Sequence, residues 1–211
     1  MCEGCTFLAT TDHARRWERN ALLCKLTIFA RLWGRIERDA RSELWSHLTG
    51  VRILDLGVGI GRDFDLYPEQ RVVAIDISRR MLEIASVAAA EHESAIGLAQ
   101  MDIQSLGFQA NQFDCVVSDV TLCCVPDLPV AVRELDRILT DDGQAVLLER
   151  VRSDHPAVAA LHHAVSPVAE RFGTYIDRDT PTVLEANGFD IEHAESVGHL
   201  GTSKLIVARP N

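Results

Sequence analysis

The sequence predicts an α/β domain of the doubly wound kind, a mostly parallel seven-stranded sheet with helices on both faces and a C-terminal antiparallel hairpin. Three observations predict it. Short apolar runs at 51–56, 71–76, 95–101, 113–118 and 144–149 alternate with segments of helical spacing. The first run is closed by three glycines at alternate positions, Gly57, Gly59 and Gly61. Acids stand at or just past the strand ends, Asp55, Asp76 and Asp102, along the edge where such sheets bind ligands.

At 211 residues, 47% of them hydrophobic, the chain suffices for one such unit with added helices. A formal charge of −10 argues against a general nucleic-acid surface, which wants a basic face. No run approaches the roughly 18 apolar residues of a membrane span, and Glu3 and Asp12 break the basic-then-apolar order of a signal peptide. A cytoplasmic protein is therefore expected, its six cysteines read as thiols. Cys2-x-x-Cys5 lacks the second pair of ligands that a zinc site needs, and no metal is expected.

Residues 1–48 read as a helical extension and 49–211 as the α/β domain, with a helical insertion at about 150–180. In the extension, Leu22, Leu26, Phe29, Trp33, Ile36, Ala40, Leu44 and Leu48 recur every three or four positions, the spacing of one long helix or of two broken near Gly34. Arg31, Arg35 and Arg38 line its other side, either a solvated face or a contact with anionic membrane.

The run at 51–56 reads as a strand buried on both faces. Its glycines allow positive φ and close approach of a ligand, and the following helix would aim unpaired N–H groups at that ligand. Asp55, two residues before the first glycine, suits a cationic group and would repel a pyrophosphate. The second strand ends on Asp76, nineteen residues beyond Gly57, where a carboxylate can accept both hydroxyls of a ribose. Ser78 then caps a helix through about Glu93 with Met81, Leu82 and Ala85 inward. A weaker strand at 95–101 leads to Asp102, and a fourth at 113–118 ends on Ser118. Leu128, Val132, Leu135 and Leu139 keep helical spacing behind Asp127 and Pro129, and Asp141-Asp-Gly143 turns the chain into the fifth strand. A helix from Pro156 to about Phe172, a short one from Thr180 stopped by Gly188, and strands at 189–196 and 202–208 complete the pattern.

The stretch from Asp55 to Gly61 resembles motif I, D-x-G-x-G-x-G, of the class I S-adenosylmethionine-dependent methyltransferases; a dinucleotide fingerprint would be G-x-G-x-x-G, and here Arg62 stands where its third glycine belongs. Asp102 to Phe108 is similar to that family's G-D-A-x-x-L-P-F segment, with Met101 in place of a small residue and Gly107 in place of proline. The segment 113–127 resembles F-D-x-V-x-x-x-x-x-L-x-x-V-x-D. The resemblance implies a Rossmann-like fold and S-adenosyl-L-methionine as cofactor. On that basis Gly57, Gly59 and Gly61 hold its amino-acid half and Asp55 its α-amino group. Asp76 would take the ribose, Ile77 and Met81 flank the adenine, Asp102 take the adenine amino group, Ile103 cover the ring, and residues from Ser118 onward line the methionine and methyl. It also implies an N-terminal helix closing over the cofactor, with Trp17, Phe29 and Trp33 as lid residues.

Within the family the chain looks most like the ubiquinone/menaquinone-biosynthesis, phosphatidylethanolamine N-methyltransferase and thiol S-methyltransferase groups. The expected acceptor is a small molecule bearing a thiol, amine or hydroxyl. The alternatives are a phospholipid headgroup methylated at the membrane surface and a cofactor-binding protein without catalysis. His155 and His162 are candidate bases, since neutral imidazole accepts a proton near neutral pH; His162 and His163, adjacent on a helix, cannot both face the cleft. Cys123 and Cys124 stand where relatives often have two histidines, and read as small buried apolar residues.

Overall fold

The structure, a computed structural model, describes residues 12–19, 38–68, 71–92, 96–197 and 200–211. Of the expected N-terminal helix, Arg38–Ser46 (α1) is present. Arg31, Arg35, Phe29 and Trp33 lie outside the described residues, as do Cys2 and Cys5.

Seven strands follow: Ile53–Leu56 (β1), Val72–Asp76 (β2), Ile96–Gln100 (β3), Phe113–Asp119 (β4), Leu139–Arg150 (β5), Phe189–Val197 (β6) and Ser203–Pro210 (β7). They form one sheet in the order β3-β2-β1-β4-β5-β7-β6. Pairing is parallel from β3 through β5, and β7 runs antiparallel to both β5 and β6. The chain winds outward from β1 to β3, then returns to place β4 on the other side of β1. The crevice between the carboxyl ends of β1 and β4 is therefore the topological switch point, where open sheets of this kind bind ligands.

Side chains alternate across the sheet with the period of the strand. One face gathers Leu54, Val116, Ala145, Leu147 and Ile206 against helix Leu128–Ile138 (α3), which contributes Leu128, Ala131, Val132, Leu135 and Ile138. The other carries Ile53, Cys115, Val117, Val146, Leu148 and Val207 beneath Ala40, Leu44 and Trp45 of α1 and Ala85 of helix Arg79–Glu91 (α2). Ser78 and Asp127 cap α2 and α3 by accepting from the N–H groups of Met81 and Val130. Beyond β5 come helix Pro156–Arg171 (α4) and the short Thr180–Glu185 (α5).

The structure departs from the sequence reading at Asp141-Asp-Gly143. The turn lies inside β5: the β4–β5 register passes from Phe113↔Leu139 to Cys115↔Gln144, so the extra residues of β5 are extruded as a bulge with both acids exposed.

Candidate active site

The loop after β1 is built for close approach. Gly57, Gly59 and Gly61 all have positive φ, at 70°, 56° and 78°. A Cβ on Gly57 would lie 2.3 Å from the Thr121 methyl, so only glycine lets this loop lie against the one that follows β4. On Gly59 it would meet only the Gly57 carbonyl at 3.9 Å, because that residue faces open space. Asp76 fastens the loop from the neighbouring strand: Oδ2 accepts from Gly59 N–H at 2.9 Å and Oδ1 from Ser78 N–H at 2.7 Å.

Asp55 is buried and accepts the hydroxyl of Tyr67, itself buried against Trp45 and Phe64. Burial pushes the Asp55 carboxyl up to about 7; the Tyr67 hydrogen bond opposes this, Asp119 and Asp76 add to it by repulsion, and Arg41 opposes it. Burial likewise raises Asp76 and Asp119, with Arg41, Arg150 and Arg62 pulling Asp119 back. Arg41 of α1 pairs with Asp63, just past the glycines, and with Asp119 at 3.2 Å. One Asp119 oxygen, Oδ1, is buried without a hydrogen-bond partner. Among the described residues the crevice thus gathers the carboxylates Asp55, Asp63, Asp76 and Asp119 with Arg41, Arg62 and Arg150.

The loop after β4 is held from below and from the side. Glu149, wholly buried at the end of β5, accepts from the Ser118 hydroxyl and from the N–H groups of Thr121, Leu122 and Cys123 at 3.1, 2.8 and 2.9 Å. These bonds start the 3₁₀ turn Leu122–Cys124. Val120, immediately before, has φ +53°, an uncommon conformation for a β-branched residue and of the kind that collects at functional sites. From the other side Arg178 donates to the carbonyls of Leu122, Val125 and Pro126 and stacks on Tyr175, whose own N–H donates to Cys123 O.

Residues 12–19 form a helix over this edge. Arg16 donates to Glu170 O at the end of α4, Trp17 lies beside Gly173, and Glu18 accepts from Arg80 N–H at the start of α2. His13 is buried beneath it, and burial lowers its pKa despite nearby Asp102. Trp17 is the one proposed lid residue among those described.

The sequence-predicted residues fall as follows. Asp55, Gly57, Gly59, Gly61 and Asp76 surround the crevice. Ile77 and Met81 lie at the start of α2, Ile77 O accepting from the Gln100 side chain. Asp102 and Ile103 follow β3, where Asp102 accepts from Gln104 N–H at 2.9 Å. Ser118 is wholly buried and its hydroxyl serves Glu149. His155 is exposed at the head of α4, while His162 is half-buried with its Nδ1 enclosed and without a hydrogen-bond partner. Cys123 and Cys124 are buried with their sulfurs 3.8 Å apart, and the Cys123 thiol is raised well above its ordinary value by its neighbour and by burial. Neither fits a reactive thiol.

Sequence reasoning missed Glu149, Asp119, Tyr67, Arg41 and Arg178. Glu149 carried a signal, a charged residue ending an apolar strand in the manner of Asp76.

A model of the methyltransferase domain matches residues 54–147, the stretch that carries Asp55, Asp76, Asp102 and Asp119. This match, together with the fold, supports a class I S-adenosylmethionine-dependent methyltransferase. It is 29% identical over 150 residues to a phosphatidylethanolamine N-methyltransferase of Cereibacter sphaeroides, covering 69% of this chain and 74% of the relative. With a demethylmenaquinone methyltransferase of Lactococcus lactis it shares 34% over 123 residues, 56% of this chain and 48% of the relative; the chain spans about half of that relative's length. An S-adenosylmethionine-dependent methyltransferase from Mesorhizobium loti shares the fold, with TM-score 0.64 and 21% identity over 82% of this chain and 97% of that one. The loop after β1 and the acids at the ends of β1 and β2 stand at the switch point of the sheet.

Proposed function

We propose that the chain uses S-adenosyl-L-methionine to methylate a small-molecule acceptor bearing a thiol, amine or hydroxyl. The observation that carries this is the acid-rich crevice itself. Asp55, Asp76 and Asp119 crowd one site, their carboxyls are raised, and the Asp119 Oδ1 lacks a partner. A cationic ligand relieves all three conditions; a pyrophosphate worsens them.

When bound, the cofactor supplies a sulfonium-activated methyl carbon. The chain's own residues do the rest. Asp55 and Asp119 hold positive charge, and Asp76 presents a carboxylate to ribose hydroxyls. The glycine loop keeps side chains out of the way, and helix 12–19 covers the edge and excludes water. An amine or thiol acceptor needs only the removal of one proton. Of the two candidate bases we favour His162, half-buried with Nδ1 enclosed and without a hydrogen-bond partner, over His155, which stands in solvent.

Titration calorimetry with S-adenosylmethionine and NAD in parallel tests the cofactor. Heat with the first alone, lost in Asp76→Ala and Gly59→Arg, is expected; unchanged affinity in both variants would defeat the assignment. A cofactor-product assay over thiols, amines and phenols then finds the acceptor, and full turnover in His155→Ala and His162→Ala would remove both bases. A binding protein without catalysis would show the heat and no product.

The second reading, methylation of a phospholipid headgroup, is favoured by similarity to the phosphatidylethanolamine N-methyltransferase. Among the described residues no helix is long and apolar enough to cross a membrane, so the lipid would be met at its surface.

A further inference from the structure

Helix α4 is inside out. A helix on a globular domain turns its apolar stripe to the core and its charges to water. Here the side facing the domain carries Ser166, buried, with its hydroxyl donating to Asp177 at 2.9 Å, and the half-buried His162. The outer side shows Leu161, Val165 and Val168, which are 60, 40 and 59% exposed. These positions are spaced four and three apart, so they form one row. From Pro156 to Ala169 the helix bears no Asp, Glu, Lys or Arg, and its charges, Glu170 and Arg171, are confined to the last turn. Leu200, 58% exposed, lies near the head of the helix, where its carbonyl accepts from Ser153. Contiguous exposed apolar surface of this kind marks an interaction site.

We infer that the outer face of α4 docks on the interfacial zone of a lipid bilayer. Two features choose this occupant over a second copy of the chain. Sixteen residues make a helix about 24 Å long, and a stripe about 10 Å wide along it offers ~240 Å², well below the ~800 Å² per partner of a stable interface. A bilayer has no such minimum, and a row without charged side chains can enter its interfacial zone without desolvating an ion. The position matters as well. The far end of α4 leads through Gly173 and Thr174 to Tyr175, bonded to the loop after β4, and Arg16 ties helix 12–19 to the same end. Docking by this face brings the crevice edge to the lipid surface. Resting on the methyltransferase reading, this makes the acceptor an amphiphile whose polar end enters the crevice while its tail stays in lipid.

The test is co-sedimentation of the full chain with mixed phosphatidylcholine–phosphatidylglycerol vesicles, for wild type and for Leu161→Gln/Val165→Gln/Val168→Gln. These exposed positions take glutamine without loss of helix propensity, and calorimetric affinity for S-adenosylmethionine serves as the control for fold. The expected result is vesicle-bound wild type, at least tenfold weaker partitioning of the triple variant, and equal cofactor affinity. A wild type that stays in the supernatant, or a variant that pellets equally well, overturns the inference. So does sedimentation velocity showing a wild-type dimer that the variant dissolves. Vesicle binding without cofactor heat supports docking and removes the acceptor class with the methyltransferase reading.

Discussion

Lowering the pH should strip the protein of its cofactor well before it unfolds it. The Asp55 carboxyl, pushed up to about 7 by burial, must be ionised to hold a cation. Between pH 7 and pH 6 its ionised share falls from about a half to about a tenth, and by pH 5 to about a hundredth. The association constant for S-adenosylmethionine should therefore drop about fivefold and then about fiftyfold below its value at pH 7, with Asp76 and Asp119, also raised, acting in the same direction. Binding at pH 6 should release about 0.9 proton, since the bound cation holds Asp55 ionised. Calorimetry at pH 6 in buffers of different ionisation enthalpy reads that proton directly. Tyr67→Phe removes the hydrogen bond that opposes the rise, so the profile should move to higher pH. Affinity that is flat from pH 5 to 7, with no dependence of the heat on buffer, would refute the reasoning.

The same carboxyl should make the free protein less stable as pH rises. Its folded value lies above its unfolded one, so its contribution is full below about pH 4 and is lost as pH climbs to about 7. Asp55→Asn should consequently stabilise the unliganded protein at pH 8, by up to about 4 kcal/mol since the carboxyl it removes is pushed up to about 7, while abolishing cofactor heat; denaturant melts at pH 5 and 8 check the difference. Arg41→Ala takes from Asp63 and Asp119 the arginine that pairs with both, leaving Asp119 only Arg150 and Arg62, and should cost about 3 kcal/mol or more in the same melts. Gly57→Ala must displace Thr121 and should lose about 2 kcal/mol or more, whereas Gly59→Ala should lose about 1 kcal/mol from its positive φ alone; equal losses would mean that the two loops are not in contact.

Local pattern made the sheet readable. The runs ending at Leu56 and Asp76, the capping Ser78 and Asp127, and the hairpin opened by Phe189 all depend on near neighbours in sequence, and β1, β2, α2, α3 and β6–β7 stand where that spacing puts them. The turn at Asp141-Asp-Gly143 was half legible: glycine and two acids marked an interruption, but only pairing with β4 decides between a turn and a bulge. The acids of motif I and of the second strand were readable because they end apolar runs. The groups that set their charge were not. Tyr67 reaches Asp55 across a 3₁₀ turn, Arg41 reaches Asp119 from another element, and Arg178 meets carbonyls about fifty residues earlier. No periodicity records such contacts. Glu149 lies between these cases, since its position was plain and its four bonds were not.

The most direct measurement is a calorimetric titration of wild type and Asp55→Asn with S-adenosylmethionine at pH 7.5. One site per chain in wild type and no heat in the variant is what the acid crevice predicts. Undiminished binding by the variant, or binding of NAD in place of the sulfonium compound, would contradict it.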